Sequence, residues 1–323
     1  MAFVIGGLVS LPLCVWESVM SPRLHSELYG FRPSSFRMTR RWGGWRPTVF
    51  MQHGLAVAAW MGATAVVAWV LWRSKVVASV AMVPIKVVAI GLVVGTIALR
   101  STGAAILVVM LIGAAEVVQT SRSRTILMVL LLAPAGYIGL RVAGWDGDQL
   151  VSFAARLGEE RAGSLNMRLE NDAIIVDKAM ERPVFGWGGW GRWRVKDPVT
   201  GKDITVSDSW WGILVGSTGV FGLVAAYGTF IAPMFVMIRR KTSSRIFDQA
   251  QGAAWAVGLA VLLFVIDTLA NAMPNSSFML ASGAMAGFVS RPRRAVAAQT
   301  GPPPGVPAGR PPAPPRPRTI DLR

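Results

Sequence analysis

Several stretches of this chain run for roughly 20 residues with almost no charge, the length and character of a helix that crosses a lipid bilayer. They cover residues 2–19, 48–72, 76–99, 102–119, 125–142, 209–238, 253–270 and 276–289, the last short enough to be re-entrant. Of 323 residues, 53% are hydrophobic and only 15% charged; a soluble domain carries about 25% charged residues. So much apolar surface, gathered in blocks, exceeds what a soluble core holds, and lipid is the expected solvent. The predicted fold class is all-α, a polytopic membrane bundle of about eight membrane-embedded helices with a long extracytoplasmic loop region. Residues 1–290 form the membrane domain.

The single cysteine, Cys14, lies inside the first apolar block, so an intrachain disulfide is impossible. That block lacks a basic leader, and Leu11-Pro12-Leu13-Cys14 lacks the small residue a lipobox puts before its Cys, so it reads as a retained helix. The net charge of +16 can point to nucleic acid. Here the basic residues fall in loops and a tail between apolar spans, which favours membrane lipids or a phosphate-bearing substrate as partners and excludes nucleic acid.

Orientation follows from Lys and Arg in short loops. If the spans alternate, Arg73 and Lys75, Arg122 and Arg124, Arg239 to Lys241, and Arg291 to Arg294 share one side, predicted to be the cytoplasm. Residues 20–47 and 143–208 then lie together on the outer face of a multi-pass protein of a bacterial inner (plasma) membrane. Trp16, Trp45, Trp72, Trp145, Trp210 and Trp211 stand at span ends, where an indole buries its ring and keeps its N–H wet. Beyond residue 290 the chain is rich in Pro, Gly, Ala and Arg, as in Gly301-Pro302-Pro303-Pro304, which predicts a disordered cytoplasmic tail over 291–323.

The first outer loop breaks the charge rule, with Arg23, Arg32, Arg37, Arg40, Arg41 and Arg46 against one acid, Glu27. Either a span is miscounted, or these arginines bind an anionic group such as a lipid pyrophosphate, which planar guanidinium forks hold bidentately. No His, Cys or carboxylate set has metal-ligand spacing, no glycine-rich nucleotide loop appears, and His25 and His53 are far apart in sequence; neither a metal nor a cofactor is predicted.

The long polar segment carries the most information. It has helix-like apolar spacing from Arg161 through Ala179, which Pro183 ends, and then a Gly/Trp run with Phe185, Gly186, Trp187, Gly188, Gly189, Trp190, Gly191 and Arg192. Such a run predicts a turn-rich loop whose backbone approaches a ligand while Trp187 and Trp190 stack on sugar faces, or else a Trp-anchored loop on the membrane surface. The sixth span opens with Asp208-Ser209-Trp210-Trp211 and continues through Gly212, Gly216, Gly219 and Gly222, a pattern of small residues suited to close helix packing. Asp208 can cap that helix or serve as a base.

Residues 161–222 resemble the O-antigen ligase and O-antigen polymerase family of membrane glycosyltransferases. That family carries a periplasmic Arg, a Pro and a Gly-x-Gly turn, and then His-(Asn/Ser)-x9-Gly-x-x-Gly entering a helix. The matching positions are Arg168, Pro183, Gly186-Trp187-Gly188 and Asp208-Ser209 followed by Gly219 and Gly222, with Asp208 where the ligases have His. Arg100 to Ala104 is similar to the family's Ser-Arg-Gly-Ala helix start, and Asp267 to Pro274 to its polar late-helix segment. Family members usually have more spans, so the chain looks short at its N-terminus.

The resemblance implies transfer of a glycan from a polyprenyl-pyrophosphate carrier to the sugar hydroxyl of an acceptor glycan or glycolipid, in surface polysaccharide (lipopolysaccharide-type) biosynthesis. Asp208 would be the catalytic base, Arg168 and Arg192 with Arg41 and Arg46 would bind the pyrophosphate, and Trp187 and Trp190 would contact sugar. The competing reading is a non-enzymatic transporter or binder of lipid-linked glycans, resting on Lys86, Glu116 and Asp267 as intramembrane polar residues.

Overall fold

The computed structural model describes residues 1–41, 43–156, 158–206, 208–240 and 245–290, together with the backbone of Arg318–Ile320. The rest of the tail predicted to be disordered lies outside the described residues; Arg318–Ile320 forms a short strand. The fold is an all-α membrane bundle. Among the described residues, five helices are long and apolar enough to cross a membrane: α1 (Ala2–Met20), α3 (Gly54–Arg73), α5 (Thr102–Ser121), α6 (Thr125–Val142) and α9 (Trp210–Arg239). Three more are apolar but shorter, α4 (Ile85–Ala98), α10 (Gly252–Asp267) and α11 (Ser276–Ser290). Three polar helices, α2 (Leu24–Tyr29), α7 (Asp148–Ala155) and α8 (Glu159–Met180), lie in the connecting segments.

Helix α3 is the axis of the bundle. It is almost entirely buried, lined by small residues such as Ala58, Gly62, Ala63 and Ala65, and packs against α1, α4, α5 and α10. Small side chains let the neighbouring backbones approach, which replaces the hydrophobic driving force that lipid cannot supply.

Two predicted boundaries are corrected. The second span begins at Gly54, not residue 48, because Glu17 of α1 is wholly buried and accepts the backbone N–H of Leu24, Thr48 and Val49 at 2.9, 2.7 and 2.6 Å. The carboxylate thus pins both ends of the first long loop. The third predicted span also shortens. Val77–Val80 (β3) and Val83–Pro84 (β4) pair as a hairpin whose turn residues Ala81 and Met82 have positive φ, and the helix starts only after Pro84. Its valine run is as apolar as a span, but β-branching suits a strand, and Pro84 sets the first helical turn. Arg318–Ile320 (β5) adds to β3 in parallel.

The contacts of the connecting segments fall into two groups, one at each end of the bundle. At one end Arg124, just before α6, donates to the carbonyls of Met237, Ile238 and Arg240, and Arg73 pairs with Glu116. At the other end lie the loop from α1 to α3, the α4–α5 turn and the long segment from α6 to α9. Buried Arg141 binds that segment to the bundle by donating to the carbonyls of Trp145, Asp146 and Leu169.

Trp210 and Trp211 depart from the interfacial role predicted for them. Both are buried, Trp211 completely, and Trp210 packs among Tyr227, Phe230 and Phe264.

Candidate functional site

Helix α8 turns one face to the start of α9. Leu169, Asp172, Ile175, Val176 and Ala179 are buried along it, the i, i+3, i+4 stripe of a packed helix. Arg168 and Asp172 share that face one turn apart. Arg168 reaches Asp208, its Nε 3.4 Å from Oδ2, with both side chains partly open to solvent. Asp172 is buried and accepts a hydrogen bond from the Ser209 hydroxyl at 2.6 Å. Burial pushes its carboxyl up to about 6, against the pull of that hydrogen bond and of Arg141.

This corrects the capping alternative for Asp208. The N-cap residue of α9 is Ser209, whose hydroxyl is spent on Asp172, and Asp208 stands one residue before it, held by Arg168. Its carboxylate is therefore free of a helix-capping duty.

The first loop comes to the same place. A two-residue hairpin, Arg40–Arg41 (β1) against Gly44–Trp45 (β2), presents Arg41 and leads into Arg46. Arg41 stands 3.8 Å from Glu160 of α8. Arg100 donates to the Arg41 carbonyl and Arg46 to the Arg100 carbonyl, each at 3.2 Å, so the α4–α5 turn braces the loop. Arg46 is buried, and that burial, with the neighbouring Arg41 and Arg168 charges, pushes its guanidinium down to about 10. Arg41 and Arg168 thus both bear on the buried Arg46, while Arg168 is the one of the three paired with Asp208 and Arg41 stands nearer Glu160.

His53, left aside in the sequence because no second histidine stood near it, joins this group. It caps α3, its Nδ1 accepting the Leu55 N–H at 3.1 Å. Burial and then Arg46 lower its pKa, with Asp208 opposing. With Nδ1 occupied as an acceptor, the neutral ring carries its proton on Nε2 and offers a donor to the cluster. His25 has no such place; it packs between Tyr29 and Phe31 and bonds the Phe31 carbonyl. Among the described residues, no three His, Cys, Asp or Glu side chains are placed to hold a metal ion.

The remaining predicted residues, Arg192, Trp187 and Trp190, are grouped apart from Arg168, Arg41, Arg46 and Asp208. They line a cleft of about 840 Å³ between α8 and the loop that follows it. The Trp187 N–H donates to the Lys178 carbonyl, and Lys178 and Arg182 lie over its ring at 3.8 and 4.5 Å. Trp187 is thus part of the wall, while Trp190 is 94% exposed.

The Gly/Trp turn does bring backbone close to a partner, but the partner is α9. That helix breaks at Gly219, with φ 66° and ψ −168°, a region open essentially to glycine. The break frees backbone groups that lipid could not satisfy. Trp187 and Gly188 donate to the Gly216 and Ser217 carbonyls, while Val220 and Phe221 donate to the carbonyls of Pro183 and Val184. A Cβ on Gly186 would stand 2.6 Å from the Gly219 nitrogen. The two glycines of the motif therefore serve each other, and the turn fixes where α8 ends relative to α9.

No family model, curated protein or solved structure matches this chain.

Proposed function

We propose that this chain is a multi-pass glycosyltransferase of the O-antigen ligase and polymerase kind, acting on the outer face of a bacterial plasma membrane. It would transfer a glycan from a polyprenyl-pyrophosphate carrier to an acceptor sugar hydroxyl. The observation that carries this reading is the Arg168–Asp208 pair flanked by Arg41 and Arg46 from a loop more than a hundred residues earlier. A net positive, partly open cluster in which Arg168 holds an accessible carboxylate suits a reaction that both removes a proton and releases a pyrophosphate.

In the reaction, the acceptor oxygen bonds to the anomeric carbon as the bond from that carbon to the pyrophosphate oxygen breaks. Asp208 takes the acceptor's proton. Arg168, Arg41 and Arg46 hold the negative charge gained by the leaving group, and His53 Nε2 supplies a further donor. Occupation of Arg168 by the pyrophosphate loosens its hold on Asp208 and leaves the carboxylate oxygens to accept from the acceptor hydroxyl.

The transporter reading lacks a polar path to rest on. Glu116 is taken by Arg73 and by the Trp69 indole N–H, Lys86 lies over the Trp72 ring, and Asp267 accepts from Asn271. Each of these intramembrane polar groups has a local partner.

The test of activity is turnover of a polyprenyl-pyrophosphate oligosaccharide by the purified protein, with release of polyprenyl pyrophosphate as the readout. No release across a panel of acceptors sinks the enzyme reading. Sidedness is tested with a cysteine placed at Ser34, which should react with an impermeant maleimide in intact cells. Reaction only after permeabilisation would put the first loop in the cytoplasm.

A further inference from the structure

At about 100° per residue, Ile174 and Asp177 of α8, with Glu181 just after it, point away from Arg168 and Asp172, and they form one wall of the 840 Å³ cleft. The loop from Trp187 to Lys196 forms the other. The helix thus divides two basic surfaces, and the reaction proposed above uses only one.

The cleft is strongly cationic. Lys178, Arg182, Arg192, Arg194 and Lys196 line it against two acids, Asp177 and Glu181. Lys178 is paired with Glu181 and Arg194 with Asp203, each at 2.9 Å. Among the described residues, Arg192 and Lys196 have no carboxylate within 4.0 Å. Beside them stands Trp190, 94% exposed, with the Arg194 guanidinium 5.9 Å from its ring. Apart from this long contact with Arg194, the large indole stands exposed beside cations that have no carboxylate partner.

An indole stacks on the C–H face of a pyranose, and guanidinium and ammonium groups bind carboxylate or phosphate. A lipid would also need an apolar trough for its chains, and the aliphatic lining is limited to Ile174 and Val195. The volume is that of a small-molecule site, about 300–1,000 Å³.

We infer that this cleft is a second binding site, for a saccharide bearing carboxylate or phosphate groups, separate from the Arg168–Asp208 cluster. The inference deepens the glycosyltransferase reading, since it assigns an anionic glycan as the chain the enzyme handles. Binding is measured without transfer, so the two ideas fail separately.

The test uses the full-length protein in nanodiscs of zwitterionic lipid, titrated calorimetrically with oligogalacturonate, with a phosphorylated mannan oligosaccharide and with a neutral malto-oligosaccharide of equal length. At least one anionic probe should bind at least about tenfold more tightly than the neutral one, a difference of about 1.4 kcal/mol. Trp190→Ala, and separately the pair Arg192→Ala with Lys196→Ala, should each weaken that binding by a similar factor, while Arg168→Ala leaves it unchanged. The inference is overturned if neither anionic probe binds, if the neutral sugar binds equally, or if the variants bind as the wild type does. It is also overturned if only phosphatidylglycerol added to the nanodisc changes Trp190 fluorescence, since the cleft would then be a lipid-headgroup site. Anionic-glycan binding without turnover would leave the cleft standing and sink the reaction; turnover without such binding would do the reverse.

Discussion

At one end of the bundle every arginine with a structural task has its partners. Arg73 grips Glu116 through two hydrogen bonds of 2.7 and 2.8 Å, and Arg124 donates to three carbonyls at the C-terminal end of α9, where unpaired carbonyls and the helix dipole both favour a cation. At the other end burial, then the neighbouring Arg41 and Arg168 charges, disfavour the Arg46 guanidinium, with the solvent-open carboxylates of Glu160 and Asp208 beside Arg41 and Arg168. The same residue type closes the fold in one region and is held under electrostatic tension in the other. Tension of this kind costs stability, and a ligand of opposite charge relieves it.

The largest expected effect lies at Asp208. Asp208→Asn should lower turnover by about 100-fold or more, the usual scale for losing a general base. Thermal stability should barely change, because the Asp208 carboxylate makes no capping hydrogen bond to α9 and its pair with Arg168 is partly open to solvent. Asp208→His should keep partial activity with a pH profile moved upward, since imidazole has the higher reference pKa. Unchanged turnover in Asp208→Asn would make the pair a surface ion pair like any other and erase the contrast between the ends.

Much of this was readable in the sequence. The apolar blocks marked all eight apolar helices, and Arg168, Pro183, Gly186 and Gly219 stood out by their order. What stayed hidden depended on burial or on long-range contact. Glu17 and Asp172 are single acids whose importance comes from the three N–H groups and the one hydroxyl they accept. His53 comes under the influence of Asp208, and Arg46 under that of Arg168, only because the starts of α3 and α9 lie near each other. Hydropathy could not separate the 77–84 hairpin from a helix, since both are apolar. The grouping of Arg192 and Trp190 across α8 from Arg168 needed the helix's rotation, because loop and helix residues close in sequence fall on opposite faces.

A smaller effect sharpens how the site end is built. Gly219→Ala adds a Cβ where φ is 66° and the Gly186 backbone nitrogen lies 2.6 Å away. The strain alone is of order 1–3 kcal/mol. Melting should fall by several degrees, and turnover should fall with it because the turn that places α8 against α9 is displaced. Gly228→Ala, in the same helix where a Cβ meets only open space, should do neither. Equal effects from the two substitutions would remove the positioning role of the break.

A further effect is a pH dependence. The Asp172 carboxyl is raised to about 6 in the folded protein from an ordinary value of 3.8. The folded state therefore keeps this proton after the unfolded chain has lost it, and the contribution to stability falls as pH rises between those values and is flat above them. The change is at most about 3 kcal/mol. Melting curves recorded from pH 4 to pH 7 should lose that slope in Asp172→Asn, which retains an oxygen to accept from Ser209. A slope that survives the substitution belongs to another group.

The claim that the crowded arginines exist to hold a pyrophosphate is tested most directly by equilibrium binding of polyprenyl pyrophosphate to the purified protein in nanodiscs. Wild type should bind saturably, and Arg168→Ala and Arg41→Ala should each weaken binding at least about tenfold, a loss within the range for a charge-assisted hydrogen bond. Arg168→Lys should restore little of it, because an ammonium cannot form the bidentate fork. Arg124→Ala, at the opposite end, should bind as the wild type does even though its melting temperature falls. Equal binding by wild type, Arg168→Ala and Arg124→Ala would contradict the account.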